Sequence, residues 1–223
     1  MHEPTVGGFL ARLDADQHLA LLALGIRREF PRAAILMYER EPGERIMIIE
    51  SGRVKVTRVE SDGHETLLSV RDPGDILGEL AFIDDEARMA TVTALEPVRA
   101  MVIPSSVFRA HLQTTPRVAL ALLEVVTGRV RESALRRSQF ARLDTVGRLS
   151  LLLVELADRY GQLVDQGVAI DLPLSQDEVA AWTGASRAGV AKALQTLRRL
   201  GWIETHRRRI IVRQLDAVRA RTR

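Results

Sequence analysis

One stretch constrains what the rest of this chain can become. From Pro116 to Leu143 the sequence reads as a single helix of 28 residues, about 42 Å long at the usual rise. Thr115 suits its N-cap. Pro116 suits the first helical position, where no N–H is needed. Within it Leu123, Val126, Val130, Ser133, Arg137 and Phe140 recur at alternating spacings of 3 and 4. That is a heptad seam, the pattern of two helices packed side by side. Two architectures accommodate it: a core helix of one domain, or a dimer spine joining a sensor half to an effector half. Arg137 stands out, because that seam position wants an apolar residue. Glu132 and Asp144 are the candidates to neutralise it.

The two flanks of the stretch differ in charge. Residues 1–144 carry 19 basic and 21 acidic side chains, and residues 145–223 carry 13 and 8. A basic C-terminal half points to a polyanionic partner, most often nucleic acid. Lys55 and Lys192 are the only lysines, so the cations are arginines, suited to bidentate contacts with phosphate or guanine. There is no cysteine, which excludes disulfides, thiolate metal sites and cysteine-ligated clusters. No window resembles a membrane helix. No secretory leader is visible in Met1–Gly8, so a cytoplasmic location is expected, with no membrane partner.

Ahead of the long helix, Asp14–Leu24 reads as a short amphipathic helix. Short β-rich runs follow at Ile35–Tyr38, Ile46–Glu50, Val54–Val59, Thr66–Val70, Ala90–Ala94 and Val98–Ile103. They are separated by Gly43, Gly52, Gly63 and Gly74. Asp62-Gly63 is a hairpin signal. Regular short strands with such turns predict a jelly-roll β domain.

Beyond the helix, Asp144 caps a second helix through Tyr160, residues 161–167 read as a loop, and Val168–Leu172 as a strand. Ser175 and Glu178 form a capping box. Gly184 turns the chain, and Ser186 caps a helix that Gly201 closes. Val179, Ala180, Gly184, Val190 and Leu194 have helix-turn-helix spacing, with Ala180 permitting close approach and Gly184 the positive φ. Trp202–Thr205 and Arg209–Arg213 read as a wing, and the arginine-rich end as frayed. The outer face of the second helix offers Ser186, Arg187, Gly189 and Lys192 to a major groove, with Ser175 and Ser186 near phosphate and Arg187 placed to read a guanine edge. Arg207 and Arg208 are placed for backbone or minor-groove contact. These residues predict double-stranded DNA as partner.

One segment of the β half departs from strand patterning: Gly78-Glu79-Leu80-Ala81-Phe82, then Arg88-Met89-Ala90-Thr91. A glycine opening a helix, a carboxylate next to it and an arginine further on suit a ligand with a sugar face and one phosphate. The same residues suit a Glu79–Arg88 ion pair beside a plain turn. His2, His18, His64, His111 and His206 have no metal-ligand spacing, and no catalytic Ser/His/Asp set or P-loop occurs. Neither an enzyme nor a required cofactor is expected.

Gly78–Phe82 with Arg88–Thr91 resembles the phosphate-binding cassette of cyclic-nucleotide-binding domains. The order of jelly roll, long helix and winged helix-turn-helix resembles the Crp/Fnr family of bacterial transcription regulators, across about Phe9 to Arg213. The resemblance implies an α+β fold: a β jelly-roll cyclic-nucleotide-binding-like sensor over 1–115, a dimerisation helix over 116–143, and a winged helix-turn-helix over 144–223. It implies a ligand set of Gly78, Glu79, Leu80, Arg88, Met89 and Ser133, with Glu79 on ribose, Arg88 on phosphate and Ser133 meeting adenine from the dimer helix. It further implies a homodimer on a pseudo-palindromic operator, cyclic AMP as effector, and RNA polymerase as a candidate partner. This chain differs from the family pattern at four positions. Met89 replaces a small or hydroxyl residue, Ala134 a second hydroxyl, Ala188 a glutamate and Lys192 an arginine. The alternative is the same DNA-binding fold acting without ligand, or answering to a cyclic dinucleotide or another small molecule.

Overall fold

The computed structural model describes residues 8–61, 63, 65–171, 174–206 and 209–222. The chain falls into two compact units, Met1–Glu132 and Ser133–Arg223. In the first, Asp14 and Gln17 form a capping box that opens helix α1 (Ala15–Leu22). The strands are β1 (Ile26–Phe30), β2 (Ile35–Met37), β3 (Arg45–Ser51), β4 (Val54–Val59), β5 (Glu65–Arg71) and β6 (Ile76–Leu77). A short helix α2 (Glu79–Ile83) precedes β7 (Thr91–Ala94) and β8 (Val98–Pro104). Helix α3 (Ser105–Thr114) then leads into the long helix α4 (Pro116–Arg142).

The strands form two antiparallel four-stranded sheets, ordered β1-β8-β3-β6 and β2-β7-β4-β5. Between them lies one apolar core, with Met47, Ile49, Val98 and Ala100 from the first sheet and Leu36, Met37, Val54, Val92 and Ala94 from the second. A second core covers the other face of the first sheet. There Ile46, Ile48, Met101 and Ile103 meet Phe9, Leu21, Phe82, Phe108 and the α4 residues Val118, Ala121, Leu122 and Val125. The first half of α4 thus buries an i, i+3, i+4, i+7 face on the roll.

The second unit holds the rest of α4, then α5 (Thr145–Tyr160), β9 (Gly161–Val164), β10 (Gly167–Ile170), α6 (Gln176–Thr183), α7 (Arg187–Arg199), β11 (Ile203–His206), β12 (Arg209–Val212) and α8 (Leu215–Ala220). Asp144 caps α5 by accepting from the Gly147 N–H at 2.8 Å. Strand order is β11-β12-β10-β9. Arg148 Nε donates to the carbonyls of Phe140 and Leu143, at 3.1 Å each, tying the end of α4 to α5.

Three expectations need correction. The loop over 161–167 contains strand β9, whose Leu163 is 90 % exposed; its pairing with β10 makes the strand, so its own pattern carries no alternation. The C-terminal end does not fray before helix α8, which Val218 anchors as a fully buried residue. The long helix stops at Arg142 rather than Leu143, where Arg148 takes up the last carbonyls. Strand β1, strand β6 and helix α3 were not expected. In β1, four of five residues are exposed, so no apolar period marks it. Asp62 and His64 lie outside the described residues.

Candidate functional site

The candidate ligand cassette is built from the turn into α2. Gly78 takes φ +81° as the N-cap of that helix. A side chain there would strain the backbone and overlap the Arg88 guanidinium. Glycine at 78 and arginine at 88 are therefore one requirement. Arg88 is only 4 % exposed. Its Nη1 donates to the Gly78 carbonyl at 3.1 Å and its Nη2 to the Arg45 carbonyl. Its Nε is buried without a hydrogen-bond partner. Burial, and then the charge of Arg45, lowers its pKa. Among the described residues no carboxylate lies within ion-pair distance of it. A buried guanidinium held by two neutral carbonyls retains its full charge, which is the electrostatic condition for receiving an anion.

Glu79 does not pair with Arg88. It is 5 % exposed and meets Arg129 of α4 at 2.5 Å. Arg129 also donates to the Ile76 carbonyl at 2.9 Å and lies 3.8 Å from Asp75. Leu80 and Met89 are exposed, the latter at 47 %, so the Met89 thioether is not packed into the roll. Ser133 is exposed on α4, one turn beyond Arg129. Sequence reasoning missed Arg129 and Arg45. Helical spacing offered a signal for the first, since Arg129 precedes Ser133 by four positions. Arg45 also offers Arg88 its main-chain carbonyl, a contact for which a sequence carries no mark.

On the seam, Leu123 and Val130 are 54 % and 63 % exposed, Ser133 and Arg137 are exposed, and Val126 and Phe140 are partly buried. Asp144 is engaged by Arg221 at 2.6 Å, and Glu132 acts on Arg71.

In the second unit Ser175 and Glu178 form the capping box of α6, and Gly184 turns the chain at φ +61°. Ser186 caps α7 by accepting from Gly189 N–H at 3.1 Å. Val190, Ala193, Leu194 and Leu197 are buried. Arg187 and Lys192 are exposed and Gly189 partly buried, with the Arg187 side chain 70 % exposed and 3.5 Å from Asp177. Trp182 of α6 is 5 % exposed, with the Arg136 guanidinium 5.5 Å from its ring centroid and 2.7 Å from Glu155. Arg207 and Arg208 lie outside the described residues. The flanking Arg209 pairs with Asp171 at 3.4 Å.

Two family profiles match the chain. The profile of the cyclic nucleotide-binding domain matches residues 27–115, and that of the Crp-like helix-turn-helix domain residues 147–221. A CRP-like cAMP-activated global transcriptional regulator of Mycobacterium tuberculosis is 32 % identical over 195 residues, covering 87 % of each chain. A global nitrogen regulator of Synechococcus elongatus is 26 % identical over 186 residues, covering 82 % of this chain and 84 % of that one. Among solved structures, the c-di-GMP responsive global regulator CLP of Xanthomonas campestris superposes with a TM-score of 0.81 at 22 % identity, covering 89 % of this chain and 99 % of that one. No helix of the described residues is long and apolar enough to cross a membrane. The chain belongs to the Crp/Fnr family: it is a DNA-binding transcription regulator, not an enzyme, with a cyclic nucleotide-binding domain and a Crp-like helix-turn-helix domain.

Proposed function

We propose that this regulator works as a homodimer whose affinity for a pseudo-palindromic operator is set by a cyclic nucleotide in the β roll. The observation that carries the ligand reading is Arg88: buried, unneutralised, with its Nε unpartnered beside Gly78. A cyclic phosphate would receive that charge, and Glu79 would accept from the sugar hydroxyls. Ser133 is the candidate contact from α4. Cyclic AMP is the first effector to titrate, because the Mycobacterium relative is named as cAMP-activated. The dimer reading rests on Leu120, Leu123 and Val130, apolar residues more than half exposed on one helix. Arg187, Lys192 and the first turn of α7 would enter the major groove, with Arg207 and Arg208 on the flanking backbone. A ligand with greater affinity for the DNA-competent state, by about 1–3 kcal/mol of coupling, suffices for switching.

Titration of the purified protein with cyclic nucleotides, read as affinity for selected duplex DNA, tests this. Ligand should raise operator affinity about 5- to 150-fold. Operator binding that is tight and indifferent to every cyclic nucleotide would replace this reading with a constitutive DNA binder.

A further inference from the structure

The inner wall of the roll contains a cation for which a cyclic adenine nucleotide has no obvious use. In an antiparallel sheet, residues paired directly across strands project to the same face. Val54 of β4 pairs with Ala94 of β7 on one side and with Arg71 of β5 on the other. Val56 likewise pairs with Val92 and Ser69. Ala94, Val54 and Val92 belong to the core between the two sheets. Arg71 and Ser69 therefore extend that inner face, and Arg71 sets a guanidinium on it. Glu79 and Asp75 are near enough to act on that guanidinium, but Arg129 is their close partner, at 2.5 and 3.8 Å. Among the described residues no carboxylate lies within ion-pair distance of Arg71. Burial first, and then the charge of Arg129, lowers its pKa to about 10.

Arg88 is buried and Arg71 partly buried, and different charges surround the two. Glu79 acts on both; Arg88 also feels Arg45 and Glu41, whereas Arg71 feels Arg129, Asp75 and Glu132. With phosphate at Arg88 and sugar at Glu79, the part of a nucleotide left for Arg71 is the base. A guanidinium offers only donors. Guanine presents two adjacent acceptors, N7 and O6, that match its fork; adenine places an amino donor at the second position.

Resting on the reading of the roll as a cyclic-nucleotide site, we propose that Arg71 reads the base and selects guanine over adenine. A cyclic mononucleotide and a cyclic dinucleotide can both present that edge. The test is calorimetry of the full-length protein with four ligands: cyclic GMP, cyclic AMP, cyclic di-GMP and cyclic di-AMP. The wild type should bind the better guanine ligand at least about tenfold tighter than its adenine counterpart. Arg71→Leu should abolish that ratio by weakening the guanine ligand, leaving adenine affinity within about threefold. Arg71→Lys, which keeps the charge but not the fork, should restore little of the preference. Comparison of cyclic GMP with cyclic di-GMP identifies the source of the guanine. A wild type that favours adenine, or a ratio indifferent to Arg71→Leu while Arg88→Ala still abolishes binding, overturns the role of Arg71 alone. If none of the four ligands binds, the nucleotide reading falls and this proposal falls with it.

Discussion

Replacing Arg88 by methionine should separate two quantities that ordinarily fall together, ligand affinity and stability. The guanidinium is 4 % exposed and donates to the carbonyls of Gly78 and Arg45. Two charge-assisted hydrogen bonds to a phosphate, at about 1.5–3 kcal/mol each, correspond to a loss of roughly 10²- to 10⁴-fold in affinity. The ligand-free fold is affected by opposing terms. The Gly78 carbonyl keeps a donor, because Phe82 N–H reaches it at 3.3 Å. The Arg45 carbonyl loses a donor, at about 1–3 kcal/mol if left unpaired. Against this, a desolvated cation disappears, and replacing buried charge by an apolar side chain of similar volume is often neutral or stabilising by about 1–4 kcal/mol. The melting temperature should therefore stay within about 5 °C. Calorimetry with a cyclic nucleotide, beside thermal denaturation of the ligand-free protein, reads both. Undiminished affinity would refute the pocket. A fall in Tm beyond about 10 °C would make Arg88 a structural strut whose charge needs no ligand.

Four further outcomes are expected. Arg187→Ala should weaken operator binding by about 1–3 kcal/mol and relax specificity at one base pair per half-site, read by anisotropy on a set of substituted duplexes; a loss equal on all sequences would make Arg187 a phosphate contact. Val130→Glu should shift the protein toward monomer in sedimentation, because it sets a carboxylate against its symmetry mate in the proposed seam. Met89→Ser should tighten cyclic-nucleotide binding about fivefold, the worth of one hydrogen bond; unchanged affinity would place residue 89 outside the site. Trp182→Ala should destabilise the second unit by about 3–5 kcal/mol, detected as loss of hydrogen-exchange protection in α6 and α7 with the roll unaffected.

The parts of the fold legible from sequence are those whose residues carry their own periodic or capping signal. The capping box at Ser175 and Glu178, the left-handed turn at Gly184 and the N-caps Asp144 and Ser186 depend on chemistry within four residues. The strands around Ile46–Glu50 and Val54–Val59 announce themselves by β-branched runs. Strand β1, Ile-Arg-Arg-Glu-Phe, does not, because β8 supplies its pairing. The same division runs through the proposed ligand site. Gly78, Glu79 and Arg88 sit in one local motif, whereas the Arg129 that holds Glu79 lies fifty positions away. Arg71 is invisible for a different reason. Which face a β5 residue occupies depends on register, and β4–β5 has an irregularity between Val56 and Thr57 that inserts Leu68. A sequence read with strict alternation loses the phase at such a bulge.

The long helix joins these observations into one physical argument about switching. Successive helical residues are about 100° apart around the axis, so α4 presents different faces to different tasks over a few positions. Val118, Ala121, Leu122 and Val125 are buried on the roll, which fixes this part of the helix to the sensor. Arg129, one turn on, holds Glu79. Val130, its immediate neighbour, points its apolar side chain into solvent at 63 % exposure. In the proposed dimer, a sugar that competes for Glu79 must act on Arg129, and Arg129 cannot shift with the helix backbone without carrying Val130 along. The coupling requires no extended network, only adjacent residues on one rigid element. By linkage it is reciprocal: seam packing that favours the DNA-competent state raises ligand affinity by the factor with which ligand favours that state. A helix that served the roll alone would have no use for an apolar side chain at 130, and a helix that served the seam alone would have none for an arginine at 129.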